Sequence, residues 1–156
     1  MISVLQRVAM AKVMVDENTI GEIGAGLLVL LCAEQDDTRL EADQLLAKIL
    51  KLRIFPDENG RMNRSVQDMN GGLLIVSQFT LAADTRKGNR PGFTQAAAPE
   101  LGRALYEHFV SQAQKQHAIV ATGEFAADMQ VHLINDGPVT IPLRIAPASI
   151  KHSGPQ

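Results

Sequence analysis

Ile2, Val4, Gln6 and Val8 alternate with Ser3, Leu5, Arg7 and Ala9, a period of two that predicts a first strand. Residues 12–15 predict a second, closed by the turn-like Asp16-Glu17-Asn18. Residues 27–33 form a continuous apolar run, the mark of a strand covered on both faces. Thr38-Arg39-Leu40-Glu41 fits a capping box, in which Thr38 caps an amide and Glu41 reaches back to it. The helix it opens carries Leu45, Leu46, Ile49 and Leu50 on one stripe and ends near Leu52. Pro56-Asp57-Glu58-Asn59-Gly60 is a loop, and residues 73–79 are another buried strand, entered through Gly71-Gly72. The polar stretch 84–92 reads as an exposed loop. Pro99 suits the first turn of a second helix, with Leu101, Leu105, Phe109 and Ala113 at helical spacing. Met129, Val131 and Leu133 alternate in a late strand, which Asn135-Asp136-Gly137-Pro138 interrupts before residues 139–145 resume it. Pro142 belongs at an edge or bulge.

The order β-β-β-α-β-β-α-β-β predicts one α/β domain over residues 1–145 with a mixed sheet. Residues 146–156 lack periodicity and are expected to form a loosely held tail. Two helices cannot cover both faces of a large sheet, so some sheet surface must pack on another sheet.

A chain of 156 residues can bury a sizeable core as one domain. One cysteine, Cys32, excludes an internal disulfide framework and any multi-cysteine zinc site. The longest apolar run, 27–33, falls far short of the ~20 residues that span a bilayer. Gln6 and Arg7 fall where a signal peptide stays apolar, so a cytoplasmic address is the default. The net charge of −2 argues against wrapping long nucleic acid or DNA, though not against gripping one short RNA end.

Common chemical motifs are missing. His108, His117, His132 and His152 make no metal-ligand spacing and read as surface or structural residues. Gly21, Gly24 and Gly26 precede a strand rather than open a helix, so they read as a turn, not a dinucleotide loop. Asp36-Asp37 is explained by the dipole of the helix that follows, and Cys32 by burial as a small hydrophobe. No cofactor or metal is expected.

Two segments stand out. In Ser77-Gln78-Phe79-Thr80 an apolar run turns polar at a strand end, where α/β proteins place ligands. Hydroxyls and free N–H groups there suit an anion-stabilising pocket, although capping of the next turn explains the four residues alone more simply. Asn135-Asp136-Gly137-Pro138-Val139-Thr140 reads most plainly as a hairpin turn, while Gly-Pro is also a dipeptide in which a cis bond is accessible.

Taken together, the chain resembles the D-aminoacyl-tRNA deacylases of the common bacterial and eukaryotic type, from Gln6-Arg7-Val8 to Ile145. The resemblance rests on residues 21–27, Arg53-Ile54-Phe55, Met62-Asn63, Ser77-Gln78-Phe79-Thr80-Leu81, Phe125-Ala126-Ala127-Asp128-Met129 and residues 135–140. The Ser-Gln-x-Thr and Asn-x-Gly-Pro-x-Thr pair, in this order, is the specific part. Cys32 departs from the family, which usually has a smaller residue there, and the tail beyond Ile145 lies outside the pattern.

The resemblance implies a barrel-like core of mixed sheet with two main helices on one side. It also implies a homodimeric cytoplasmic hydrolase, without cofactor, that cleaves D-aminoacyl-tRNA and glycyl-tRNA at the acceptor end. It assigns Ser77, Gln78, Phe79 and Thr80 to the catalytic pocket and Phe125 and Met129 to the bound substrate. Gly137 and Pro138 become a cis segment lent to the other subunit, and Arg7 its brace. The Phe79 and Thr80 N–H groups are the candidate oxyanion donors. The attacking group is a positioned water assisted by the ribose 2′-hydroxyl, or alternatively Thr80, for which no base is apparent. Arg86, Lys87 and Arg90 form a loop that either touches acceptor-end phosphates or is merely solvated. Two other readings stay open: a silent module binding tRNA or free D-amino acids, and a general Ser/Thr esterase, which the lack of Gly-x-Ser-x-Gly disfavours.

Overall fold

The computed structural model describes residues 1–151. Its strands are β1 (Ile2–Val15), β2 (Asn18–Ile23), β3 (Gly26–Cys32), β4 (Phe55–Pro56), β5 (Met62–Arg64), β6 (Gly72–Ser77), β7 (Val120–Thr122) and β8 (Gln130–Arg144). The helices are α1 (Arg39–Lys51), α2 (Pro99–Gln116) and the short α3 (Ala148–Lys151), with a 3₁₀ turn over Phe79–Ala82.

The two strands expected within residues 2–15 are one strand, because no glycine or proline breaks the run between Ala9 and Lys12. β1 pairs antiparallel with β3 through its first half, with β2 through its second, and with β8 along nearly its whole length. β3 and β6 pair in parallel, as do β6 and β7. The sequence pattern does not predict β2 and β7; both are short and lack an alternating apolar face. The sheet curls until β2 meets β7. A Cβ at Gly21 would stand 2.2 Å from the Thr122 carbonyl oxygen, so only glycine permits this approach. The result is one domain with a mixed sheet nearly closed into a barrel, flanked by α1 and α2.

The curl answers the covering problem. One face of the sheet packs Leu5, Leu27, Val29, Leu73 and Ile75 against Leu45, Leu46, Ile49, Leu105 and Phe109 of the helices. The other face folds onto itself, joining Val8, Ala11, Val13, Ile23, Leu28, Leu74 and Val76. Hydrophobic burial on both sides thus comes from a single sheet.

α1 starts as its capping box requires. Leu40 N–H donates to Thr38 Oγ1 at 3.2 Å, and Thr38 N–H donates to Glu41 Oε2 at 2.7 Å. Asp37, however, does more than face a helix dipole. Its buried carboxylate lies 2.8 Å from the Met1 ammonium, which Glu34 also meets at 3.0 Å. Arg144 closes the group, donating from Nη2 to Glu34 Oε1 at 3.0 Å. Burial works to raise the Glu34 carboxyl, but hydrogen bonds from Arg144 and the ammonium outweigh it, and its pKa falls below the usual value.

Residues 135–138 are not a hairpin turn. β8 keeps the same partner on both sides of them, with Val8 opposite Asn135 and Gln6 opposite Thr140. Residues 136–139 therefore stand opposite Arg7 alone and bulge outward. Among the described residues β8 pairs with β1 alone, so Pro142, opposite Val4, sits on an edge strand, where proline is tolerated. Beyond β8, the Ala148 N–H donates to Glu41 Oε1 at 3.2 Å. Among the described residues, no helix is long and apolar enough to cross a membrane. His152 lies outside the described residues.

Candidate active site

The parallel strands β3 and β6 end side by side, with Leu31 opposite Ser77, and a cavity of about 570 Å³ opens beyond them. The sequence run 73–79 does not stay extended to its end. β6 stops at Ser77, Gln78 takes φ −143° and ψ 79°, and the chain tightens into the 3₁₀ turn. Gln78 N–H still donates to the Leu31 carbonyl at 2.8 Å, which anchors the turn to β3.

The first N–H groups of a 3₁₀ turn have no acceptor within it. Those of Phe79 and Thr80 engage none elsewhere among the described residues, whereas the Gln78 and Thr80 carbonyls accept from Leu81 and Ala83 at 3.2 and 3.1 Å. Two adjacent donors are thus left at the mouth of a cavity. The Thr80 hydroxyl accepts from Gln78 Nε2, so the two side chains fix one another. Ser77, Gln78 and Phe79 line the cavity, while exposed Thr80 sits at its rim.

Phe125 and Met129 form a wall. They come from the connection between β7 and β8, where Ala126 adopts φ +64° and bends the chain back. The Phe125 ring lies 5.8 Å from Tyr106 and has the Arg103 guanidinium 4.7 Å above it. Tyr106 donates its hydroxyl to the Ile75 carbonyl at 2.9 Å, and burial pushes its pKa up to about 12. Opposite, Phe79 meets Phe93 edge-on at 5.1 Å.

Cys32 also lines the cavity. Burial first, then the Glu34 charge, raises its thiol to about 11, so it is a neutral donor and no thiolate nucleophile. Among the described residues lining the cavity there is no carboxylate, imidazole or amine side chain, and the Met1 ammonium is held by Glu34 and Asp37. His108 instead contacts Asp43 at 2.8 Å, and His117 the Gly71 carbonyl at 2.6 Å. The basic loop is closed by reciprocal backbone bonds between Asp84 and Gly92 at 2.7 and 3.0 Å. Arg86 is paired with Asp84, whose carboxyl its hydrogen bonds hold near 2.

Five of the expected site residues therefore line one cavity, Ser77, Gln78, Phe79, Phe125 and Met129, and Thr80 follows Phe79 in the 3₁₀ turn beside it. Gly137 and Pro138 do not join them within the chain. They are exposed on the β8 bulge, their peptide bond is cis, and Gly137 takes φ +136°, open to glycine alone. Arg7 lies beneath, donating from Nε to the Asp136 carbonyl at 3.0 Å and from Nη1 to the Ile54 carbonyl at 2.7 Å. Sequence reasoning missed Phe93, Ala97 and Tyr106, which also line the cavity. Tyr106 adjoins the apolar stripe of α2 and is the chain's one tyrosine, a usable signal; Phe93 follows a polar loop and had none.

The family model for D-Tyr-tRNA(Tyr) deacylase matches residues 4–144. A protein of Paracidovorax citrulli (strain AAC00-1) named D-aminoacyl-tRNA deacylase is 67% identical over 155 residues, covering 99% of this chain and 100% of that one. Its counterpart from Azoarcus sp. (strain BH72), with the same name, is 68% identical over 149 residues, covering 96% and 99%. Among solved structures, the c-Myc DNA Unwinding Element Binding Protein superposes with a TM-score of 0.90 at 42% identity, over 94% of this chain and 99% of that one. A probable eukaryotic D-amino acid tRNA deacylase shares the fold, with a TM-score of 0.80 at 19% identity over 92% and 98%.

Proposed function

The chain belongs to the D-Tyr-tRNA(Tyr) deacylase family, and from that premise we propose that it hydrolyses the ester joining a D-amino acid, or glycine, to the terminal adenosine of tRNA. The observation that carries this reading is the pair of unengaged N–H groups at Phe79 and Thr80, beside a cavity built from the family's own motifs.

An aminoacyl ester is already activated, so the site must align a nucleophile and stabilise an oxyanion. Water attacks the ester carbonyl carbon, the developing oxyanion accepts from the Phe79 and Thr80 N–H groups, and the bond to the ribose oxygen breaks. The proton lost by water passes to that leaving oxygen, with the ribose 2′-hydroxyl assisting. Each preorganised donor of this kind is worth roughly 2.7–4 kcal/mol. Thr80 as a covalent nucleophile needs a neighbouring base, and among the described residues the side chains lining the cavity supply none.

Chirality is selected by rejection. With ester and ammonium both held, exchanging D for L drives the side chain into whatever faces the stereocentre. A preference of about 10⁴ corresponds to ~5.5 kcal/mol, within reach of a steric clash against main chain that cannot yield. Gly137 and Pro138 are suited to be that wall: proline fixes φ and Arg7 braces the backbone beside them. Being exposed and outside their own chain's cavity, they serve a second copy of the chain in a homodimer. Glycine passes because it has no side chain to clash.

A tRNA end in the cytoplasm suits a chain of net charge −2 better than duplex DNA does, since affinity for long nucleic acid rests on phosphate neutralisation. The deciding experiment incubates the protein with matched D- and L-aminoacyl-tRNA, glycyl-tRNA and a simple ester. Selective loss of the D and glycyl species supports the deacylase. Binding without turnover would sink it in favour of a silent module, and turnover of the simple ester in favour of a general esterase.

A further inference from the structure

A second concavity, of about 610 Å³, runs along α1 and is lined by Gln44, Lys48, Lys51, Leu52, Arg53 and Ile145. Gln44, Lys48 and Lys51 follow one another at helical spacing of four and three, so they share one face. Arg53 adds a third cation just past the helix end. Among the described residues, no carboxylate lines this groove. Arg7, Arg64, Arg86, Arg103 and Arg144 each lie within 4.0 Å of an acidic partner; Lys48, Lys51 and Arg53, like Lys12, Arg39, Arg61, Lys87, Arg90 and Lys115, have none among the described residues, but these three line one concavity together. In a chain of net charge −2, three unneutralised cations around one concavity are a local excess. The α1 dipole accounts for lysines in its last turn but not for Arg53, nor for a hollow between the cations.

The position of the groove is informative. Its Arg53 end continues into Ile54, whose carbonyl accepts from Arg7 Nη1 at 2.7 Å, and the same guanidinium holds the Asp136 carbonyl at 3.0 Å. The groove and the 136–138 bulge are therefore tied through one side chain. Wherever Gly137 and Pro138 go, Arg53 follows within the reach of one guanidinium.

We propose that Lys48, Lys51 and Arg53 bind acceptor-end phosphates of a tRNA whose ester is held in the cavity of the other protomer, the one that Gly137 and Pro138 of the same chain enter. The inference rests on the dimeric deacylase reading above and extends it. The protomer that supplies the chiral wall also holds the RNA, so the ligand lies across the two subunits. Two cations on one helix face and a third just past its end suit a run of phosphates, and a bare wall would have no need of them.

The test uses the full chain with Lys48→Glu, Lys51→Glu and Arg53→Glu combined. For D-aminoacyl-tRNA, KM is expected to rise at least tenfold with kcat kept. The slope of log KM against log salt should flatten by roughly 0.7–0.9 for each phosphate that is no longer neutralised. Turnover of a D-aminoacyl-adenosine ester, which lacks those phosphates, should not change. Glutamine in place of glutamate gives a milder form of the same shifts. Subunit mixing then tests the cross-subunit claim: the charge-reversed chain is mixed with a chain whose cavity is filled by Ala97→Trp (Ala127→Trp if the first does not fold). Each parent is impaired, and heterodimers combine one open cavity with the other chain's intact groove. Assayed at tRNA well below KM, where the charge-reversed parent is slow, about a quarter of wild-type activity should return on mixing, from random pairing. No recovery on mixing, or an unchanged KM and salt slope, overturns the proposal. A wild-type protein that is monomeric or inactive on D-aminoacyl-tRNA would instead overturn the reading on which it rests.

Discussion

Arg7 Nε donates to the carbonyl oxygen of Asp136 at 3.0 Å, joining the middle of β1 to the bulge of β8. Only 11% of the Arg7 side chain is exposed, but Asp136 is open to solvent, so this charge-assisted bond is at the surface while the Ile54 bond of the same guanidinium is partly buried. Lysine cannot reproduce it, because a point ammonium lacks the planar fork that reaches the Asp136 and Ile54 carbonyls together. Arg7→Lys and Arg7→Ala should both lower the ratio of D to L hydrolysis by tenfold or more, as measured by kcat/KM on paired aminoacyl-tRNAs. An unaltered ratio in both variants would remove Arg7 from chiral selection.

The Thr80 main chain and side chain make separable contributions. Thr80→Ala should keep activity within about tenfold of wild type, with no acyl-enzyme detected by mass spectrometry, since the hydroxyl only meets Gln78. Thr80→Pro deletes the N–H at a position early in the 3₁₀ turn, where proline's φ is tolerated. Losing an oxyanion donor should cost ~10²–10³ in kcat. A trapped Thr80 ester, or full activity in Thr80→Pro, contradicts the assignment.

Barrel closure at Gly21 can be tested by a pair of substitutions. Gly21→Ala puts a methyl 2.2 Å from the Thr122 carbonyl oxygen, whereas Gly24→Ala meets nothing within 4 Å. The first should cost roughly 1–3 kcal/mol as overpacking. At about 2–4 °C per kcal/mol, thermal denaturation resolves that loss. The second should leave Tm nearly unchanged. Equal effects would mean that β2 and β7 do not touch as described.

Acid stability should depend on Glu34. Its folded pKa lies below its unfolded value, taken as about 4.3. Its contribution is therefore complete above the unfolded pKa and is lost as pH falls through the lowered folded one. Glu34→Gln should flatten that acid limb in a plot of Tm against pH. At neutral pH it should cost roughly 1.5–3 kcal/mol, since the Met1 ammonium loses one of its two buried carboxylate partners and keeps Asp37. A variant with the wild-type acid profile would show that the group around Met1 contributes little.

The amino-acid order alone determined what depends on near neighbours. The Thr38–Glu41 box started α1, the unbroken apolar runs became β3 and β6, Pro99 opened α2, and Pro142 fell on an edge. These features need only a few consecutive residues, because capping, alternation and proline geometry act over one or two turns of chain. The family resemblance, rather than any local pattern, named Ser77, Gln78, Phe79, Phe125 and Met129, which line one cavity. Tertiary structure decided the rest. β1 runs unbroken and serves three partner strands, residues 136–139 bulge because β8 keeps β1 on both sides of them, and Asp37 turns from the helix it precedes to the Met1 ammonium. Phe93 and Tyr106 reach the cavity from elements far apart in sequence. Each of these depends on pairings between distant segments, whose partners no local pattern specifies and which burial of both sheet faces selects only once the whole sheet has curled.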